Sequence, residues 1–347
     1  MNKLKTLASL GRGILKNKLT SKRAPIFLSL FVTNRCNLRC KYCFIIDETI
    51  PKEILSAEYP VTQLRAIIDE FYNMGTRMIF MLGGEPLMHP DIGEIIGYIV
   101  AKGIYLHVIT NGTLIEKRLD EIRNAHALCV SLDGPADVND PLRGKGTFER
   151  AVKGIQASVE AGIPTRIHAV LTRLNLHRMR ELAQISKELR APLSISPPNF
   201  LGETNDETLR ITKDEYKIFW KEFLGLYKEG FPIANSPDAI VKCQDWPADY
   251  HQFIRTGEKF PDYKPIFCLN GHTYAALSAD GLMYNCINLE CQGPSIHEYG
   301  IRGAWSKLLE WRPDCVSCSS INCIETAMLL RLQRRTLLSG FKLHQMR

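Results

Sequence analysis

The chain has 347 residues, 45% of them hydrophobic, and a formal net charge of +7, which suits one large domain, or one large and one small, around a sizeable core. No apolar run approaches the roughly 18 residues that suggest a membrane span, and nothing reads as a secretory signal. Eleven cysteines, clustered and odd in number, point to metal binding in a reducing compartment rather than to disulfides, so a cytoplasmic location is expected.

Residues 1–24 form a basic segment. Lys3, Lys5, Arg12, Lys16, Lys18, Lys22 and Arg23 all precede the first acid, Asp47, and Arg331, Arg334, Arg335, Lys342 and Arg347 follow the last, Glu325. The positive charge therefore belongs to the termini, and the interior carries a slight acid excess. Leu4, Leu7, Leu10, Ile14 and Leu15 fall near helical spacing, and Met328, Leu329, Leu332, Leu337, Leu338 and Phe341 repeat the theme in a basic tail over 326–347. Two readings stay open. Basic amphipathic helices lie on anionic membrane surfaces, each Lys or Arg contributing about 1 kcal/mol, which gives an expectation of peripheral contact at the inner face of the membrane. Alternatively, both helices pack on the domain with solvated basic faces. No basic patch interleaved with aromatics occurs, so no nucleic-acid partner is expected.

From 25 to 235, strand-like and helical runs alternate. Strands are expected at Ile26–Thr33, Arg77–Leu82, Tyr105–Thr110, Ala127–Leu132, Thr165–Leu171 and Leu193–Ser196. Helices are expected at Thr62–Met74, Asp91–Lys102, Leu114–Asn124, Thr147–Ala161 and Leu176–Leu189. Six such repeats build a parallel sheet covered by helices, an α/β fold. Directly after the first strand, Phe31 to Phe44 reads Phe-Val-Thr-Asn-Arg-Cys-Asn-Leu-Arg-Cys-Lys-Tyr-Cys-Phe. Cys36, Cys40 and Cys43 thus share the loop at the strand's C-terminal end. Three thiolates on a compact loop suit an iron–sulfur cube and leave one iron without a protein partner, hence open to chemistry. A structural zinc knuckle is the plainer alternative, but zinc favours two C-x2-C pairs or Cys/His mixtures.

The C-x3-C-x2-C spacing, with Tyr42 just before the third cysteine, resembles the radical S-adenosylmethionine (SAM) superfamily. The resemblance implies a partial (β/α)6, TIM-like barrel and a [4Fe–4S] cluster on Cys36, Cys40 and Cys43. It also implies SAM as second cofactor, cleaved to methionine and a 5′-deoxyadenosyl radical that abstracts hydrogen from substrate. Other candidate cofactor residues follow the next strands, where parallel barrels gather their functional groups. Gly83, Gly84 and Glu85 look like the family's motif for the SAM amino group, with Glu85 the acceptor. Thr110 and Asn111 stand where polar residues meet the ribose, although an Asn-Gly turn explains them nearly as well. Ser131 and Arg143 resemble residues that contact the SAM carboxylate, for which an Arg fork is suited. His107, His168 and His177 receive no role.

Residues 236–265 read as a connecting region, preceded by a helix at Lys213–Lys228. Cys268 then begins a C-x12-G-x4-C pattern through Gly281 to Cys286, around a β-hairpin with its turn at Asp280-Gly281. Cys315, Cys318 and Cys323 follow. This resembles the SPASM/twitch extension of radical SAM proteins and implies a small cysteine-rich domain over 266–325 with at least one auxiliary [4Fe–4S] cluster. Only six cysteines follow residue 260, against seven in the two-cluster form. Four thiolates complete one cluster: Cys268, Cys286, Cys315 and Cys318 are expected, with Cys323 or Cys291 as substitutes.

The implied function is hydrogen abstraction from an unactivated C–H bond, with an electron donor such as flavodoxin or ferredoxin. Ile287 stands where sulfatase-maturing relatives carry an aspartate base, which counts against that activity. The thirty-five residues before Cys36 are too few for a peptide-recognition domain. Together with the basic ends, that makes an amphiphilic small molecule (lipid, isoprenoid, tetrapyrrole or lipid-linked sugar) the equal of a peptide as substrate. The rival class is a non-enzymatic iron–sulfur electron-transfer or scaffold protein, in which Glu85, Ser131 and Arg143 would have no purpose. Cys129, Cys243 and Cys291 are spare thiols, each more simply a buried structural cysteine.

Overall fold

A computed structural model describes residues 3–20, 23–43, 51–197, 207–286, 293–310 and 314–331. The N-terminal helix α1 (Lys3–Leu19) precedes six strands that alternate with helices: β1 (Phe27–Phe31), β2 (Met78–Leu82), β3 (Tyr105–Thr110), β4 (Ala127–Ser131), β5 (Thr165–Val170) and β6 (Leu193–Ser196). Between β1 and β2 lie α2 (Lys52–Leu55) and α3 (Val61–Met74), and then α4 (Ile92–Ala101) and α5 (Ile115–Ile122) follow β2 and β3. After β4 come α6 (Ala136–Arg143) and α7 (Thr147–Glu160), and α8 (Met179–Glu188) follows β5. All five junctions among β1–β6 are parallel. That geometry needs a crossover at each step and buries one strand face under helices. Ile79, Met81, Leu106, Val108, Leu128 and Val130 supply that face, packing in one core with Leu64, Ile67, Ile96 and Ile99 of the helices.

Each expected strand and helix in this region is present within a residue or two, except that the helix expected from Leu176 opens with a 3-10 turn over Leu176–Arg178 before α8 begins. The sequence reading missed α6, because Pro141 lies inside it. Asp140 in α6 accepts from the Gly146 and Phe148 amides at 2.6 and 2.9 Å, holding the start of α7.

Past β6, α9 (Lys213–Lys228) opens on a Thr212–Glu215 capping box. The stretch expected only to connect carries α10 (Pro237–Gln244), the two-residue strand β7 (Ile254–Arg255) and core residues Trp246, Tyr250 and Tyr263. The expected hairpin is β8 (Tyr274–Leu277) with β9 (Met283–Tyr284), and Gly281 at its turn has a φ of 93°. β8 pairs in parallel with β1, so the hairpin lengthens the barrel sheet to eight strands in the order β6-β5-β4-β3-β2-β1-β8-β9. Helix α11 (Ile296–Glu310), strand β10 (Cys315–Ser317, paired with β7) and helix α12 (Ile321–Leu330) complete the described chain. Through Glu325, α12 meets Ser236 beyond β6, and through Leu330 it joins Ile26 and Phe27 at β1. It thereby bridges the two sides of an open barrel.

Helix α1 settles on the same end. Ile14 is buried against Ile26, Phe27 and Leu330, with Leu10 beside it, while Lys5, Arg12 and Lys16 face solvent. The packing alternative therefore accounts for Leu10 and Ile14 of its apolar stripe, while Leu15 and Leu19 are exposed. Lys342 and the rest of 332–347 lie outside the described residues. No described helix is long and apolar enough to cross a membrane.

Candidate active site and thiol centres

Three loops meet at the C-terminal ends of β1, β2 and β3. The Cys loop leaves β1, and the Gly83-Gly84-Glu85 loop leaves β2 directly against it. A Cβ on Gly83 would stand 2.2 Å from the Thr33 carbonyl oxygen, and one on Gly84 2.3 Å from that of Arg35. Only glycine permits this approach, and the amides of Gly84 and Glu85 use it to donate to Thr33 and Arg35, both at 2.8 Å. The glycines thus serve contact between loops.

Glu85 locks the third loop in place. It is fully buried. One carboxylate oxygen accepts from the Thr110 hydroxyl at 2.7 Å and the Leu87 amide at 3.0 Å, and the other from the Asn111 amide at 2.7 Å. Burial pushes its pKa up to about 7, opposed by those donors. The expected acceptor of a ligand ammonium is therefore already engaged by the protein, and the structure uses Glu85 to join loops. Asn111 passes the connection on, donating to Asn37 at 2.8 Å with Cys36 Sγ at 4.0 Å, and Asn37 donates to Thr113 at 2.9 Å.

From the other side the Cys loop is held by Asp133, to which the sequence analysis assigns no role. Buried Asp133 accepts from Arg143 Nε at 2.7 Å and Nη2 at 3.3 Å, from the Val170 amide at 2.9 Å, and from the Tyr42 hydroxyl. Burial would weaken the Arg143 charge, but the Asp133 carboxylate more than offsets it and holds the guanidinium protonated. The fork expected to grip a ligand carboxylate is thus occupied by Asp133, and Nη1 stands 4.0 Å from Cys40 Sγ. The Arg143 guanidinium also stacks over the Tyr42 ring at 5.4 Å. Ser131, half-buried at the end of β4, makes no side-chain hydrogen bond among the described residues.

Cys36, Cys40 and Cys43 are free, partly buried thiols within electrostatic reach of one another. Burial pushes Cys36 up to about 12 and Cys40 to about 11, and neighbouring thiols add to it. Such thiols ionise readily only beside a cation. No three Cys, His, Asp or Glu side chains among the described residues are grouped as for a single metal ion. A cube takes one thiolate at each corner iron, so this soft, anionic donor set, spread over one loop, fits it.

A second group of thiols gathers between the hairpin and α12. The Cys268 amide donates to Val316 at 2.8 Å. Burial pushes Cys268 up to about 12, with Cys323 and Cys315 adding repulsion. Cys318 is raised by its hydrogen bond to Cys323 and by burial, with Cys268 and Cys286 in reach, while the same bond lowers Cys323. Cys323, a substitute in the sequence reading, is as closely placed as Cys268, Cys286, Cys315 and Cys318. Cys291 and Ile287 lie outside the described residues.

Residues 30–185 match the radical SAM superfamily. The chain is 33% identical over 301 residues to the AdoMet-dependent heme synthase of Nitratidesulfovibrio vulgaris, covering 81% of this chain and 78% of that one. It is 33% identical over 279 residues to mycofactocin maturase MftC of Mycobacterium ulcerans, covering 76% and 68%. Among solved structures, Streptococcus suis SuiB bound to S-adenosylmethionine shares the fold with a TM-score of 0.64 at 16% identity, covering 87% of this chain and 72% of that one.

Proposed function

Since the chain belongs to the radical SAM superfamily, we propose that it cleaves SAM reductively and directs the resulting radical at an unactivated C–H bond of a peptide or an amphiphilic small molecule. Cys36, Cys40 and Cys43 would hold a [4Fe–4S] cluster, which would supply the electron for cleavage of SAM to methionine and a 5′-deoxyadenosyl radical. The observation that carries this reading is the meeting of three loops around those thiols, locked by Glu85 on one side and Asp133 on the other.

In this reading each residue has a stated task. Gly83 and Gly84 bring main-chain groups beside the Cys loop, while Thr110 and Asn111 fix its flank through Glu85 and Asn37. Tyr42 and Arg143 hold the Cys40 side, and the free hydroxyl of Ser131 is left to bind ligand. Cys268, Cys286, Cys315, Cys318 and Cys323 offer enough thiolates for one auxiliary [4Fe–4S] cluster with one to spare. Arg39 and Lys41, exposed on the Cys loop, would meet an acidic one-electron donor such as flavodoxin or ferredoxin. A tetrapyrrole-like substrate finds precedent in a relative that is a heme synthase by name, and a peptide in a protein of like fold, SuiB, whose solved structure is bound to a precursor peptide.

The direct test is electron paramagnetic resonance of the reduced, anaerobically reconstituted protein. Adding SAM should shift the signal of one cluster and leave the auxiliary signal unchanged. An iron–sulfur scaffold without a SAM site would show no shift in either.

A further inference from the structure

The face of the barrel sheet turned away from α3–α8 is only partly covered: Met78 and Phe80 pack beside Ile14, Phe27 and Leu330 at one end and stay half-buried. On β2, Met78, Phe80 and Leu82 are half-buried while Ile79 and Met81 between them are fully buried. On β5 the same alternation leaves Arg166, His168 and Val170 half-buried. The inner face is thus divided into an apolar wall on β2 and a polar one on β5.

Three groups of the polar wall are decisive. Arg166 donates through Nε to Cys129 Sγ at 3.4 Å, which fixes the guanidinium, while its terminal nitrogens make no hydrogen bond or ion pair with any described residue. Glu325, an acid in electrostatic reach, accepts from the Ser236 amide at 2.5 Å and Asn235 Nδ2 at 3.4 Å. His107 on β3, only 6% exposed, has a buried Nε2 with no partner and lies within reach of Arg166. His168 is different, because Ser194 and Ser196 occupy both its ring nitrogens at 2.9 and 3.0 Å. A fixed cation with an open fork and a buried, unpaired ring nitrogen on the same inner face together call for a polar ligand.

We infer that the barrel interior takes a substrate bearing a carboxylate, gripped by the open fork of Arg166, with its apolar body against Met78, Phe80 and Leu82. This rests on the reading that substrate enters the barrel. A planar fork matches a carboxylate's two oxygens. One arginine, with Glu325 already in electrostatic reach and neutral histidines around it, balances at most one further negative charge, where a phosphate dianion needs more.

The test uses dodecanoate, methyl dodecanoate and dodecyl phosphate as probes, titrated calorimetrically into the reconstituted full chain. Dodecanoate should bind at least about tenfold tighter than its ester. Arg166→Gln should bind acid and ester alike, and Arg166→Lys, with charge but no fork, should keep part of the preference. Arg180→Gln, which breaks an exposed ion pair with Glu229, should behave as wild type. If Arg166→Gln fails to fold, Arg166→Lys carries the comparison. Equal binding of acid and ester by wild type, an undiminished preference in the folded variants, or binding of none of the probes (a polar wall served by water alone) would overturn the inference. Tighter binding of the phosphate would overturn the ligand class. The same preparation is assayed for 5′-deoxyadenosine. A carboxylate preference without that product would sink the radical reading and leave the binding site standing.

Discussion

Asp133 and Glu85 each tie together segments far apart in sequence, and each is fully buried. Replacing Asp133 by asparagine leaves Arg143 charged, buried and poorly matched. The expected cost is about 3 kcal/mol of stability, with a roughly 10- to 100-fold loss of cluster iron affinity or SAM cleavage, as for other groups that orient metal ligands. Iron analysis and denaturant unfolding check both. Glu85 gives a pH signature. Its folded pKa of about 7 lies above the ordinary 4.5, so between those values the folded chain keeps a proton the unfolded chain has lost. Its contribution to stability therefore falls as pH rises through that window. The urea midpoint of Glu85→Gln relative to wild type should rise with pH from 4.5 to 7, and a constant difference would contradict the assignment. The sequence reading found Glu85 and Arg143 as candidates. Their engagement by Thr110, Asn111 and Asp133 was hidden, because those partners come from other loops and only folding brings them together.

The β–α alternation of the barrel was legible because each buried strand is a short β-rich run and each helix carries an apolar stripe. Misses came where local signals conflict with tertiary ones. Pro141 disguised α6, and the parallel docking of β8 on β1 leaves no mark in a hairpin's own sequence. At this scale two substitutions are informative. Gly84→Ala would drive a methyl against the Arg35 and Asn34 carbonyls, so it should separate the two loops and cut 5′-deoxyadenosine yield while the circular dichroism of the barrel persists. Ile14→Ala should cost about 2 kcal/mol, because Ile14 packs on Phe27 and Leu330. A helix that served only a membrane surface would show no such loss in the absence of lipid.

At the scale of the whole molecule, the first group of thiols leaves β1 and the second gathers between the hairpin, which pairs with β1 through β8, and the β10–α12 segment. About eight irons per chain, four in each cube, is the expected content after reconstitution. Removing Cys323 should disturb the auxiliary share as much as removing Cys268 does. The central claim is that Cys36, Cys40 and Cys43 seat a cluster that cleaves SAM. Chromatographic measurement of 5′-deoxyadenosine after anaerobic reduction with SAM tests it most directly. The account predicts product from wild type and none from Cys40→Ala. Intact SAM with a fully loaded wild-type protein, or equal product from the variant, would contradict it.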